Sequence, residues 1–120
     1  MQITDRDRTE IRSVIERQIQ AFQRDDAVSV FSFASPEIQA KFGTPEQFIQ
    51  MVKIGYPAVY RPRSVIFEDA VVVQGVPSQP VLFLSPNGKP VKAIYLMKLD
   101  EKGSWRIDGC YLVSVENKLM

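Results

Sequence analysis

The stretch VKAIYLMKLDEKGSWRIDGCYLVS, residues 91–114, decides the fold class of this chain. It contains two runs rich in β-branched and aromatic residues, at 91–99 and 105–114, a composition typical of strands. Only a short polar segment, which begins at Asp100 and includes Gly103, separates the two runs. Because short connections join antiparallel neighbours, the stretch predicts an antiparallel hairpin.

Two further strand-like runs precede this hairpin, at residues 65–74 and 79–85. The connection at residues 86–89 contains Asn87-Gly88, a strong signal for a β-hairpin. The connection between the first two runs is also short. The C-terminal half of the chain therefore predicts a four-stranded antiparallel sheet of sequential strands.

The N-terminal half has the residue spacing of helices. Thr4 is a candidate N-cap, and the residues that recur at helical spacing after it are Ile11, Val14, Ile15, Gln18, Ile19 and Phe22. Further helix starts are expected at Asp25 or Asp26, at Ser35 and at Thr44. Two prolines within residues 56–63 argue against a regular helix there. The pattern predicts a single α+β domain over residues 1–120, with N-terminal helices packed on the sheet.

Alternation along the hairpin assigns the two faces of the sheet, because successive side chains of a strand point to opposite sides. One parity of residues 105–114 is expected in the core and comprises Trp105, Ile107, Gly109, Tyr111 and Val113. In residues 91–99 the core parity comprises Val91, Ala93, Tyr95, Met97 and Leu99. The opposite parities hold apolar residues that the helices cannot also cover, namely Ile94, Leu96, Cys110 and Leu112. These four residues are candidates for a homodimer interface through the sheet.

Composition limits the classes of partner. Lys plus Arg number 15 and Asp plus Glu number 14, a balance that gives no field for steering onto nucleic acid or an anionic membrane. The chain has no histidine and a single cysteine, Cys110, which argues against histidine-activated nucleophiles and metal sites built from several thiolates. The charged N-terminus lacks the apolar region of a signal peptide. We therefore expect a cytoplasmic protein with no metal, no cofactor, no nucleic-acid partner and no membrane span.

Aromatic and apolar residues on the facing surfaces of the helices and the sheet are candidates for lining a ligand pocket: Phe22, Phe48, Met51, Tyr95, Trp105 and Tyr111. The alternative is that these side chains simply fill the core. The tyrosines favour a pocket, because a buried hydroxyl needs a partner or a water.

No carboxylate has an evident place in such a pocket. Asp108 has the parity opposite to Trp105 and is expected to point outward. Glu68 and Asp69 lie on opposite parities of the first strand-like run, which is long enough to contain a bulge that would turn either one inward. No catalytic residue is therefore assigned.

Short motifs spread over nearly the whole chain carry a family resemblance: IQAF at 19–22, Asp25-Asp26, ASPEI at 34–38, Phe42-Gly43, Met51-Val52, YRP at 60–62 and SWRIDGC at 104–110. In this order they resemble the nuclear-transport-factor-2-like superfamily, and most closely a bacterial family within it that is catalogued as a domain of unknown function. The resemblance implies a cystatin-like α+β cone. The superfamily includes ketosteroid isomerases, dehydratases, polyketide cyclases and non-catalytic binding or dimerisation modules, so the resemblance implies a fold and not an activity.

The sequence thus favours a non-catalytic module that homodimerises through its sheet and binds a small apolar ligand in the cavity of the cone. The alternative is an isomerase or lyase that acts on a small apolar substrate by carboxylate and tyrosine chemistry. A carboxylate that opens into the cavity would favour the alternative.

Overall fold

The computed structural model describes residues 2–115. Its N-terminal half forms five helices: α1 (Asp5–Gln23), α2 (Ala27–Ser32), α3 (Pro36–Phe42), α4 (Pro45–Gly55) and α5 (Pro57–Tyr60). The predicted caps are present. Thr4 and Asp7 form a reciprocal capping box at the start of α1, and the side chains of Asp26, Ser35 and Thr44 accept backbone N–H groups at the starts of α2, α3 and α4.

The sequence predicts no regular helix in residues 56–63, and this prediction is wrong. The segment contains a single helical turn, α5. Pro57 occupies the first turn, where a proline costs no hydrogen bond and its fixed φ suits a helix. The turn is anchored by Asp25, whose carboxylate accepts a hydrogen bond from the Tyr60 hydroxyl and pairs with Arg61 at 2.9 Å and with Lys53 at 3.7 Å. These contacts hold the pKa of Asp25 below its ordinary value, the Tyr60 hydrogen bond contributing most.

The C-terminal half forms one antiparallel sheet of five strands: β1 (Ser64–Phe67), β2 (Val71–Val73), β3 (Val76–Leu84), β4 (Pro90–Leu99) and β5 (Trp105–Ser114). The strand order is β1-β3-β4-β5, and β2 also pairs with β3. The predicted α+β class with an antiparallel sheet is confirmed. The path β1-β3-β4-β5 corresponds to the four predicted strands, and the first predicted strand is divided into β1 and a short β2 that lies off this path.

One extra residue divides that strand. Phe67 pairs with Val81 and Val71 pairs with Ser78, so three residues oppose two at this point. The interrupted backbone is satisfied from elsewhere: Gln79 Nε2 donates to the Glu68 carbonyl at 2.7 Å. The Arg8 guanidinium on α1 donates to the carbonyl of Ala70 at 2.6 Å.

A second irregularity lies in β5. Leu96 pairs with Gly109 and Met97 pairs with Ile107, so Asp108 is an extra residue between them. The bulge reverses the alternation that the sequence predicts for the rest of the strand. Tyr111, expected in the core, is instead 50% exposed.

The helices cover one face of the sheet, and the core lies between them. The buried sheet residues of this core are Val81, Phe83, Ala93, Tyr95, Met97, Trp105 and Ile107. From α1 the core receives Ile11, Ile15, Ile19, Ala21 and Phe22, which include most of the predicted stripe. Among residues 2–115, no helix combines the length and the apolar character that crossing a membrane requires.

Candidate functional site

A cavity of about 170 Å³ lies between the helices and the sheet. Its helical walls come from α1, α3, α4 and α5, and its floor comes from β4 and β5. The wall is mostly apolar and largely aromatic, with Phe22 on α1, Phe42 on α3 and Phe48 on α4. Such a site has the composition of small-molecule pockets, which are mainly apolar with a few polar groups.

Aromatic packing fixes the shape of the helical wall. Phe48 packs against Phe42 and Phe31, with ring centroids 5.3 and 5.7 Å apart. Phe22 meets Tyr60 edge-on with centroids 6.1 Å apart, which joins α1 to α5. Geometries of this kind are favourable for aromatic pairs. Phe31 and Tyr60, which lie outside the lining, therefore support the rings of Phe48 and Phe22 that line the cavity.

Tyr95 supplies a buried polar group to this wall. Its hydroxyl is fully buried and has no hydrogen-bond partner among residues 2–115. Burial raises the pKa of Tyr95 well above its ordinary value, and the neighbouring Cys110 adds to the rise. The phenol therefore stays protonated and can donate a hydrogen bond. Leaving such a group unpaired in an apolar interior costs about 1–3 kcal/mol.

Cys110 pairs with Tyr95 across the two strands and also lines the cavity. The sequence predicted Cys110 on the outer face with Leu112, but the bulge at Asp108 places both on the parity that faces the helices. Burial raises the pKa of the Cys110 thiol to about 12. Because only the thiolate is an effective nucleophile, this cysteine is not suited to nucleophilic chemistry near neutral pH.

The other uncharged polar side chains of the wall are already engaged. Tyr56 donates its hydroxyl to the Cys110 carbonyl at 3.2 Å, and Gln18 donates its amide to the Val30 carbonyl at 3.1 Å. These bonds tie the start of α5 to β5 and α1 to α2. Sequence reasoning did not place Tyr56 or Gln18 in the cavity; the position of Gln18 within the apolar stripe of α1 was the available signal.

Lys41 is the one charged residue that lines the cavity within the described part of the chain. It is exposed near the end of α3, and its Nζ lies 5.6 Å from the centre of the Phe42 ring. The cavity therefore opens to solvent beside a cation. Sequence reasoning gave no role to Lys41.

The structure brings together some of the predicted pocket residues and separates others. Phe22, Phe48, Met51 and Tyr95 line the cavity. Trp105 is 3% exposed and lies in the core outside the cavity lining. Tyr111 lies on the opposite face of the sheet, for the register reason given above.

None of the candidate carboxylates lines the cavity. Asp108 is held at the bulge, where the Ser35 hydroxyl donates to its carboxylate at 2.6 Å. Glu68 and Asp69 are exposed beside the interruption between β1 and β2. Within residues 2–115, the residues that line the cavity include no Asp and no Glu.

Comparison with known families gives one match. Residues 4–120 match the family described as "Domain of unknown function (DUF4864)". The chain belongs to the DUF4864 family. No curated protein and no solved structure matches it.

The outer face of this DUF4864 sheet also carries apolar side chains. Of the predicted interface residues, Ile94 and Leu96 lie on it, partly exposed. The bulge replaces the predicted Cys110 and Leu112 with Tyr111 and Val113, which pair with Ile94 and Lys92. Ile66 on β1 and Leu82 on β3 extend the same face. We call Ile66, Leu82, Ile94, Leu96, Tyr111 and Val113 the outer patch.

Proposed function

We propose that this DUF4864 domain is a small-molecule binding module that holds an apolar ligand in the cavity between its helices and its sheet. The observation that carries the proposal is an apolar cavity whose wall contains the buried, unpartnered hydroxyl of Tyr95. A ligand oxygen that accepted this hydrogen bond would remove the cost of the unpaired group.

The volume is consistent with a ligand of about one aromatic ring. An engineered apolar cavity of about 150 Å³ in another protein binds benzene, and the cavity here has about 170 Å³. Because it opens beside the exposed Lys41, a substituent on the ring can extend into solvent. The aromatic wall favours a flat ligand that stacks or packs edge-on.

The lining residues support binding without catalysis. The isomerase or lyase alternative requires a carboxylate base opposite the tyrosine donor, and no carboxylate lines the cavity within residues 2–115. The remaining nucleophile, Cys110, is held as a thiol by burial. We therefore rank the binding module above the enzyme.

We also propose that the domain belongs to the nuclear-transport-factor-2-like superfamily and is cytosolic. The order of helices before an antiparallel sheet supports placement in the nuclear-transport-factor-2-like superfamily, and the single cysteine supports a cytosolic location.

We also propose that a second copy of the chain covers the outer patch. The patch draws on all four strands of the order β1-β3-β4-β5, and Ile66–Leu82 and Ile94–Tyr111 are cross-strand pairs within it. Lys92 lies between Leu82 and Val113 and forms a 3.0 Å ion pair with Glu68, which follows β1. Large exposed apolar patches mark interaction sites, and a two-fold pairing of identical patches is the commonest way to cover one.

Ligand binding is tested by isothermal titration calorimetry with 3-phenylpropanol, an uncharged single-ring probe. We expect saturable binding with a Kd on the order of 1 mM or tighter, given the size of the probe. Met51→Trp places a larger side chain in the cavity from α4. It should weaken binding at least about tenfold, because less cavity volume is left for the ligand. The matched control is Ile54→Trp on the same helix, at a residue that is 82% exposed. This variant should leave the Kd unchanged.

If Met51→Trp does not fold, Ile38→Phe fills the cavity from α3 instead. An absence of saturable binding to the wild-type protein, together with native mass spectra that show no retained small molecule, would reject the binding function.

Dimerisation is tested separately by sedimentation at tens of micromolar. We expect a wild-type dimer and a folded Leu96→Asp monomer, since the charge would be buried only at the interface. Tyr111→Glu is a second variant at a more exposed position, and Ile54→Asp is the control outside the patch. A wild-type monomer, or a Leu96→Asp variant that still dimerises, would reject the pairing.

A further inference from the structure

The charge at the cavity mouth identifies a class of ligand within the proposed binding function, on which this inference rests. Among the described residues that line the cavity, Lys41 carries the one formal charge. The rest of the lining is apolar or uncharged polar. A ligand that fills the cavity and reaches solvent therefore meets a cation where it leaves the protein.

Lys41 also has no carboxylate partner. Within residues 2–115 no carboxylate oxygen lies within 4.0 Å of the Lys41 ammonium. The acidic residue one turn earlier on α3, Glu37, pairs with Lys98 of β4 at 3.2 Å. The Lys41 ammonium, near the Phe42 ring, is therefore available to an anion at the cavity mouth.

The alternative explanation for Lys41 is a helix cation near the negative end of α3, where a lysine is favourable by a few tenths of a kcal/mol. That explanation accounts for its place on the helix but not for its place on the wall of an apolar cavity. An amphiphilic ligand accounts for both the apolar interior and the single cation at its opening.

We infer that the ligand is a small aromatic monocarboxylate, whose ring occupies the cavity and whose carboxylate pairs with Lys41 at the mouth. One exposed ammonium suits a monoanion. A phosphate dianion is ordinarily held by several donors, which the cavity wall does not offer. The partly solvated ion pair contributes modestly to affinity, so its effect is expected in selectivity between ligands of equal shape.

Three probes with one carbon frame test the inference: 3-phenylpropionate, 3-phenylpropanol and 3-phenylpropylamine. With the wild-type protein at 50 mM salt, we expect the acid to bind about 3- to 10-fold more tightly than the alcohol, and the amine to bind most weakly. Lys41→Gln should remove the difference between acid and alcohol. Lys41→Arg should keep the preference for the acid. Raising the salt to 500 mM should reduce the preference in the wild-type protein.

Lys89→Gln, at an exposed position in the β3–β4 turn that does not line the cavity, is the charge-matched control and should not change the three affinities. Equal binding of acid and alcohol by the wild-type protein, or tightest binding of the amine, would overturn the inference and leave the binding function standing. Failure of all three probes to bind would remove the proposed function itself.

Discussion

The two halves of β5 have the same strand geometry but different surroundings. Residues 105–107 pack Trp105 and Ile107 into the core, and their outer edge is bridged by the segment before α3, where Ile107 exchanges backbone hydrogen bonds of 2.8 Å with Phe33 and Ser35. Beyond the bulge Cys110 lines the cavity, residues 111–113 are exposed, and within residues 2–115 only β4 pairs with this part of the strand. The difference shows that one strand can serve as core at one end and as binding wall and outer surface at the other.

The change occurs at Asp108, and a contact from distant sequence holds it. The Ser35 hydroxyl caps α3 by accepting the Ile38 N–H at 3.2 Å and donates to the Asp108 carboxylate. The next residue, Gly109, has little room for a side chain, because a Cβ there would lie 3.3 Å from Leu96 Cδ1.

The largest expected contrast compares one residue from each half of β5. Trp105→Ala should lower the free energy of unfolding by about 3–5 kcal/mol, because it removes a buried ring from the core. Tyr111→Ala, on the half-exposed side beyond the bulge, should change it by less than about 1 kcal/mol. Urea unfolding at a concentration where the chain is monomeric measures both. Equal losses would mean that the bulge does not separate the two residues as described.

Unfolding at alkaline pH tests the burial of Cys110, which lies on β5 beyond the bulge and lines the cavity. The pKa of the buried Cys110 thiol is raised from 9.0 to about 12, so the folded protein keeps the thiol neutral while the unfolded chain ionises above pH 9. The contribution of this thiol to the free energy of unfolding is therefore full below pH 9 and decreases as the pH rises toward 12. At pH 10.5 the decrease is about 2 kcal/mol. Tyr95 acts in the same direction. Cys110→Ala should flatten the pH dependence of unfolding; identical slopes would place the thiol in solvent.

The bulge itself can be weakened at Ser35. Ser35→Ala removes the cap of α3 and the hydrogen bond to Asp108, and should cost about 1–2 kcal/mol. Combining it with Asp108→Ala should cost less than the sum of the single changes, because the two side chains share one interaction. Ser32→Ala, an exposed serine on α2, is the control and should fall within about 0.5 kcal/mol of the wild type. Strict additivity of Ser35→Ala and Asp108→Ala would show that they do not act together.

The smallest effect concerns the two tyrosines that line the cavity. Tyr95→Phe removes a hydroxyl that has no partner, so in the absence of ligand it should leave stability unchanged or raise it by up to about 1 kcal/mol. Tyr56→Phe breaks the hydrogen bond to the Cys110 carbonyl and should lower stability by about 1 kcal/mol. Thermal unfolding of both variants decides their order. A clear loss in Tyr95→Phe would mean that its hydroxyl already has a partner.

Local signals predicted most of the helical half correctly. Thr4, Ser35 and Thr44 act as caps because a side-chain oxygen satisfies a backbone N–H only a few residues away. The single turn α5 was missed, since its anchor to Asp25 comes from a residue more than thirty positions earlier in the chain.

The cavity was predicted in part. Helical spacing predicted the placement of Phe22, Phe48 and Met51. Regular alternation in β4 predicted the placement of Tyr95. Beyond Asp108 the alternation is reversed, so Cys110 and Tyr111 exchanged their expected faces. Gly109 within a strand was the signal that could have indicated the bulge.

The sequence by itself determined the order of the elements, the antiparallel pairing of the strands and the apolar stripe of α1, because each depends on neighbours within a turn or a hairpin. Only the tertiary structure decided the faces of β5 beyond the bulge, and with them the cavity wall and the outer patch. The physical reason is that an extra residue in a strand is retained when a distant group satisfies it, and here that group is the Ser35 hydroxyl, which donates to Asp108.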